Sequence, residues 1–177
     1  MGPGRPILWP LQRNAEPPLK AFFVHPRLAF GSKVNKRRHV VRLRALGITH
    51  VVDLRGYHSK KLHSFRSIWL GFKDDGKPRP RWFYGKALKF YQKALRQPKA
   101  TIFVMCRAGR RRSASLTYFL LRASGIGPRK AQALVRKARP CAKIVRSYRE
   151  SCEEYLRRKK RWSSAGTGGG PFFSMRD

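Results

Sequence analysis

Carboxylates are what this chain has least of: 8 Asp and Glu stand against 42 Lys and Arg, a formal net charge of +34 over 177 residues. A field of that size draws phosphorylated or polyanionic partners and speeds their arrival, but says nothing about fold. It also makes salt-sensitive binding to nucleic acid a candidate property of the surface. Cysteine is nearly as sparse. The three thiols, Cys106, Cys141 and Cys152, are an odd number and make no disulfide framework, so a reducing compartment is expected. No apolar run approaches the roughly 18 residues that would span a membrane. The opening MGPGRP carries neither the apolar stretch of a signal peptide nor the Ser or Thr of a myristoylation site. Together these absences predict an intracellular, cytoplasmic protein with no membrane span.

What is present fits one domain large enough to bury a core, with an ordinary apolar content of 41%. Residues 1–20 hold five prolines and read as a loosely ordered arm, and residues 163–177, with GTGGG inside, read as a matching tail. Between them, residues 21–162 form the expected folded domain. Short apolar runs at 21–24, 27–30, 48–54 and 101–105 predict strands, the last two β-branched enough to be buried. Helical spacing runs through 34–46, with Val34, Val41 and Leu43 on one face and Gly47 as its C-cap. Three further stripes have the same period: Ala87, Leu88, Tyr91, Ala94 and Leu95; Ala131, Leu134, Val135 and Ala138; Val145, Tyr148, Cys152, Tyr155 and Leu156. Strands mixed with helices predict a single α/β domain, a central, mostly parallel sheet flanked by helices.

The sharpest feature is Cys106-Arg107-Ala108-Gly109-Arg110-Arg111-Arg112-Ser113, placed after IFVM and before the helical run ASLTYFLLRAS. Composition alone supplies on the order of 0.003 matches to C-x-x-G-x-x-R-[ST], so the pattern is not an accident of abundant arginine. Five residues between Cys and Arg can wrap one phosphate, with successive N–H groups turned inward as an anion nest. The following helix adds the positive end of its dipole. Gly109 allows close backbone approach, and Arg112 offers two phosphoryl oxygens a planar fork that Lys lacks. The same surroundings favour a thiolate at Cys106, which can attack phosphorus in line and hold the phosphoryl group covalently. Ser113 is placed to donate to that sulfur when the intermediate breaks down. The competing reading is a buried structural cysteine ahead of an exposed basic helix.

Such chemistry needs an acid for the leaving oxygen and then a base for water. With so few carboxylates the choice narrows quickly. Glu16 lies in the arm, Asp53 ends a buried strand, Glu150, Glu153 and Glu154 fall on the last helix, and Asp177 closes the chain. Asp74 and Asp75 remain, in the polar loop GFKDDGKPRPRWF, where Asp-Gly is otherwise a common turn pair.

On these segments the chain resembles the dual-specificity protein phosphatase family from about Phe22 to about Leu156. VHPRLAFGSK looks like the family's opening strands and LRALGITHVVDLR like its helix-to-strand passage. DDGKPRPRWFYGKALKFYQKAL resembles its acid loop and following helix, and VMCRAGRRRSASLTYFLLR its signature loop. The resemblance implies a protein-tyrosine-phosphatase-like fold and metal-free, cofactor-free phosphomonoester hydrolysis through a phosphocysteine. Carried over residue by residue, it implies Cys106 as nucleophile, Arg112 as phosphate clamp, Ser113 as the sulfur's partner and an Asp of the DDG pair as general acid. The family's spacing ranks Asp74 above Asp75. Arg107, Ala108, Gly109, Arg110 and Arg111 become the substrate-binding loop.

One position departs from the family: its usual His before the nucleophile is Met105 here. Two other readings therefore stand beside the phosphatase. One is a weak or inactive phosphate-binding pseudophosphatase; the other is a basic nucleic-acid-binding protein with a vestigial loop. Arg107, Arg110 and Arg111 also widen the substrate choice, from a phosphorylated protein to a polyphosphorylated small molecule or an RNA 5′ end. Elsewhere, His58 and His63 lack ligand partners at metal spacing and suggest a substrate-facing loop. Cys141 and Cys152 read as partly buried structural residues. The run 157–161 is either a nuclear or nucleic-acid address or a solvated helix end. Trp69, Trp82, Phe83 and Tyr84 are pocket wall or core.

Overall fold

The structure, a computed structural model, describes residues 19–165, with side chains through 159. Five strands form one sheet: β1 (Ala21–His25), β2 (Leu28–Gly31), β3 (His50–Asp53), β4 (Arg66–Trp69) and β5 (Ile102–Met105). Their order is β1-β2-β5-β3-β4, and only the β1–β2 pair is antiparallel. The helices are α1 (Arg37–Ala45), α2 (Arg81–Leu95), α3 (Arg112–Ala123), α4 (Pro128–Ala138) and α5 (Arg146–Ala165). The fold is thus the α/β arrangement read from the sequence.

Strand burial follows from position in the sheet. HVVD of β3 and IFVM of β5 are interior strands and buried throughout, as continuous β-branched and apolar runs should be. On β5 the pleat sends alternate side chains to opposite faces. Ile102 and Val104 join the larger core with α2, α3, α4 and α5; Phe103 and Met105 join a smaller one with Val34, Leu43 and Leu62. The Met105 side chain is fully buried there.

Several boundaries differ from the sequence reading. The first helix starts at Arg37, after an extended Lys36; Val34 is buried in the loop before it. Val41, read as part of that helix's apolar stripe, is 59% exposed. Gly47 follows the helix and donates to Arg44 O at 2.8 Å, as a C-terminal cap does. β4 was not anticipated: RSIW is half polar and lies at the sheet's edge, where alternation is weak. α5 runs to Ala165, beyond the tail boundary read at Ser163; the rest of that tail, and residues 1–18 of the arm, lie outside the described residues. Among the described residues no helix is long and apolar enough to cross a membrane.

Candidate active site

At the C-terminal end of β5 the chain turns through residues 106–111 into α3. Where the loop's carbonyls go determines where its N–H groups point, because the two are antiparallel across a trans peptide. The carbonyl of Arg107 accepts from Lys33 N–H at 3.2 Å, that of Arg110 from Lys143 N–H at 2.8 Å, and that of Arg111 from Ser115 N–H at 2.8 Å. The Arg139 guanidinium takes the carbonyls of Ala108, at 2.8 Å, and Gly109. With these carbonyls drawn outward, the N–H groups of residues 108–112 turn inward and form a cradle. Gly109 makes the turn at φ +68°, and a Cβ there would lie 2.4 Å from the backbone of Gly31.

Cys106 sits in this cradle, 3% exposed. Its Sγ accepts from Gly109 N–H at 3.2 Å and lies 3.3 Å from Ser113 Oγ, a hydroxyl wholly buried in the first turn of α3. The helix N-terminus is therefore directed at the sulfur. Arg112 opens that helix. Its Nη1 donates to Leu54 O at 2.9 Å and Phe72 O at 2.8 Å, which fixes the guanidinium from one side. Its Nε is buried and has no hydrogen-bond partner, and the carboxylate of Asp74 stands 4.0 Å away. A guanidinium fastened at one nitrogen with Nε unbonded is a fork held ready for an oxyanion.

The two aspartates of the DDG pair face different neighbours. Asp74 points to the cradle, 3.6 Å from Arg111 Nε and 4.0 Å from Arg112 Nε, with Tyr148 Oη 3.5 Å away. Asp75 turns back on its own loop, accepting from Lys77 N–H at 3.0 Å and Arg79 Nη2 at 2.8 Å. The Lys77 N–H, followed by the Arg79 charge, holds the Asp75 carboxyl below its usual range. α5 pins the loop from outside: Tyr148 Oη accepts from Gly76 N–H at 3.0 Å, and Ser147 donates to Gly76 O. Burial raises the pKa of the Tyr148 hydroxyl, with the Asp74 carboxylate adding to it, so the phenol stays a donor.

The structure thus brings Cys106, Gly109, Arg112, Ser113 and Asp74 together, while the side chains of Arg107, Arg110 and Arg111 are exposed around the loop. Arg139 and Tyr148 were missed. One is an arginine among many and the other read as core spacing; neither carries a local signal. Asp53 is committed elsewhere, in a buried two-pronged pair with Arg55 at 2.9 and 2.7 Å. His63 is tied to its local backbone, its Nδ1 donating to Lys60 O at 2.8 Å. Cys152 is buried, but Cys141 is exposed, against the reading of both as partly buried. Phe83 and Tyr84 are core; Trp82 and Trp69 are largely exposed.

No protein-family model matches this chain, and no curated protein matches it. Solved structures match it in fold. A variant of human DUSP28 is 23% identical, covers 84% of this chain and 100% of its own, and superposes with TM-score 0.69. A human tyrosine phosphatase-like serine/threonine/tyrosine-interacting protein is 20% identical over 79% of this chain and 97% of its own, TM-score 0.70. PTPMT1 in complex with PI(5)P is 18% identical over 82% and 99%, TM-score 0.70. The chain has the fold of the dual-specificity and tyrosine phosphatases.

Proposed function

We propose that the protein is a cysteine-dependent phosphatase that hydrolyses phosphomonoesters in two steps. The observation that carries this reading is the unbonded, buried Nε of Arg112, at the end of a loop whose Gly109 N–H donates to the Cys106 sulfur. In the first step the Cys106 thiolate attacks phosphorus, the ester bond breaks, and Asp74 gives its proton to the leaving oxygen. The loop N–H groups and the Nε and Nη2 of Arg112 hold the equatorial oxygens, over which charge is spread in the transition state. In the second step Asp74 takes a proton from water, which attacks the phosphocysteine and releases phosphate. Ser113 donates to Sγ as it leaves. Among the structural neighbours, PTPMT1 binds PI(5)P, which supports a phosphorylated, anionic substrate.

The test is pre-steady-state release from p-nitrophenyl phosphate. A burst of nitrophenol followed by turnover is expected, and Cys106→Ser should abolish both while keeping tungstate binding. Turnover in that variant would overturn the covalent route. A second reading, phosphate binding without turnover, is favoured by Met105, whose side chain is buried in the smaller core rather than offering an imidazole behind the nucleophile. Tight tungstate binding with no burst in the intact protein would select it.

A further inference from the structure

β4 is an edge strand, with β3 on one side and no neighbouring strand on the other among the described residues. Arg66 N–H donates to Thr49 O at 3.1 Å and Leu70 N–H to Asp53 O at 2.9 Å, so the even-numbered residues turn their backbone groups towards β3. By the alternation of a strand, the N–H and C=O groups of Ser67 and Trp69 point the other way, off the open edge. Alongside this edge runs α2. Between them lie two cavities of about 410 Å³ each, contiguous through Phe90 and Lys93, which line both. Ile68, Leu70 and Phe90 give the groove an apolar floor, and Trp69 stands 47% exposed at its rim. Lys86, Lys89 and Lys93, all exposed on α2, and Arg66 add four cations, and no described Asp or Glu lines either cavity.

Lysines three and four residues apart share one helix face and repel one another, and α2 contains no carboxylate to relieve them. An acidic occupant would. The open backbone groups of β4 select its shape, because an extended peptide can continue the ladder of a free edge. A nucleic acid would answer the cations but not that ladder. The chain cannot fill the groove itself. Every described carboxylate already has an arginine within 3.6 Å, which also removes a second copy as the source of charge. Residues 1–18 and 166–177 add only Glu16 and Asp177. The complementary charge therefore belongs to another protein.

We propose that the groove between β4 and α2 is a docking site for an acidic, extended segment of a partner protein. The segment adds a strand to β4, sets apolar side chains on Ile68 and Phe90, and brings its carboxylates to Lys86, Lys89 and Lys93. This binding does not depend on the phosphatase reading. One end of the groove nevertheless adjoins the candidate active site along the chain: Leu70 stands two residues before Phe72, whose carbonyl fixes Arg112.

The experiment measures fluorescence anisotropy of a labelled peptide of about eight residues, Val alternating with Glu, at fixed ionic strength; that length spans an ordinary strand. Three proteins are used: the intact chain, the Lys89→Glu, Lys93→Glu variant, and a control variant Lys130→Glu, Lys137→Glu. The control makes the same charge change on exposed positions of α4. The first variant should bind roughly tenfold more weakly than the intact chain, and the control within about twofold of it. Replacing every Val of the peptide by Ser at unchanged charge should also cost roughly tenfold. Two further peptides carry N-methyl groups on alternate backbone amides, one on the Val amides and one on the Glu amides. A peptide paired to a strand edge donates from only one of these sets, so one methylated peptide should lose binding and the other keep it. Equal losses in both lysine variants, or a Ser peptide as tight as the Val peptide, would reduce the groove to net charge and overturn the proposal. Equal effects of the two methylation patterns would remove the added strand. An RNA oligomer of the same charge that binds more tightly, and loses as much in Lys89→Glu, Lys93→Glu, would reassign the surface to nucleic acid. No saturable peptide binding would leave the lysines as a guard against edge-to-edge pairing and sink the docking site.

Discussion

α3 carries an arginine at each end, and the two are treated in opposite ways. Arg122 lies in the last turn, where the helix dipole favours a cation, and Glu153 receives it in a two-pronged pair at 2.6 and 2.9 Å. Tyr118 adds a 2.6 Å hydrogen bond to the same carboxylate, and Ile126 O takes the remaining guanidinium nitrogen at 2.7 Å. Every charge at that end is answered. Arg112 lies at the opposite end, where the dipole already places positive charge and the first turn holds no acidic residue. Its nearest carboxylate is 4.0 Å away and its Nε is unbonded. One end of the helix is closed by the protein itself; at the other a buried guanidinium nitrogen has no hydrogen-bond partner among the described residues. A buried guanidinium nitrogen left without a partner is what motivates the oxyanion-clamp role proposed for Arg112.

The widest gap between the two ends should appear on truncation. Arg112→Ala should reduce kcat by roughly 10³–10⁵, the scale of an arginine that stabilises transferring phosphoryl charge. Arg122→Ala should leave steady-state kinetics near normal. Comparable rate losses in the two would erase the distinction. Next in size is the acid. Asp74→Asn should slow an alkyl phosphate by roughly 10²–10⁴ and an activated aryl phosphate far less, because the latter's leaving oxygen hardly needs a proton. Asp75→Asn should show no such leaving-group dependence, since its carboxylate is held by Lys77 N–H and Arg79. The opposite pattern would assign the acid to the later residue.

These contrasts mark what the sequence could and could not say. The loop from Cys106 to Ser113 was legible because it is contiguous: cysteine, glycine, arginine and serine stand in register on one short stretch. β5 and the stripes of α2, α4 and α5 were legible because burial imposes their periods. β4 was not, since an edge strand of RSIW need bury little on either face. Asp74 and Asp75 could not be separated by chemistry alone; only the fold shows which one Lys77 and Arg79 turn away. Arg139 and Tyr148 reach the site from positions far along the chain, and nothing in their immediate neighbours announces it. Arg122 and Arg112 are the same residue type on the same helix, told apart only by what folding brings opposite them.

Smaller effects should follow from the same contrast. Tungstate should raise the melting temperature of the intact protein, because a ligand at about 100 times its Kd adds roughly 2.7 kcal/mol to stability. Arg112→Ala should lose most of that gain, and Arg122→Ala should keep it from a lower starting point. A ligand shift that survives Arg112→Ala would place the anion elsewhere. Glu153 supplies the smallest signal, read as stability against pH. Burial works against its charge, but the hydrogen bonds from Arg122 and Tyr118 prevail and hold the carboxyl below its usual range. A depressed carboxyl contributes stability above its unfolded pKa, and the contribution fades as pH falls through the folded value. Denaturation midpoints should therefore drop below about pH 4 in the intact protein, and more shallowly in Glu153→Gln. Identical slopes would mean the pair contributes nothing measurable.

Gly31 carries a consequence for how this chain is free to vary. It closes β2, its carbonyl accepts Cys106 N–H at 3.3 Å, and the back of Gly109 rests against it. A side chain at Gly31 would itself run into Lys20 O at 1.8 Å. The loop of residues 106–111 is thus cast against a mould supplied by a distant strand, and the two surfaces can change only together. Written along the chain, the signature is eight letters long. Written in space it has a ninth, Gly31, which any catalogue of tolerated replacements should find as unforgiving as the glycine inside the loop.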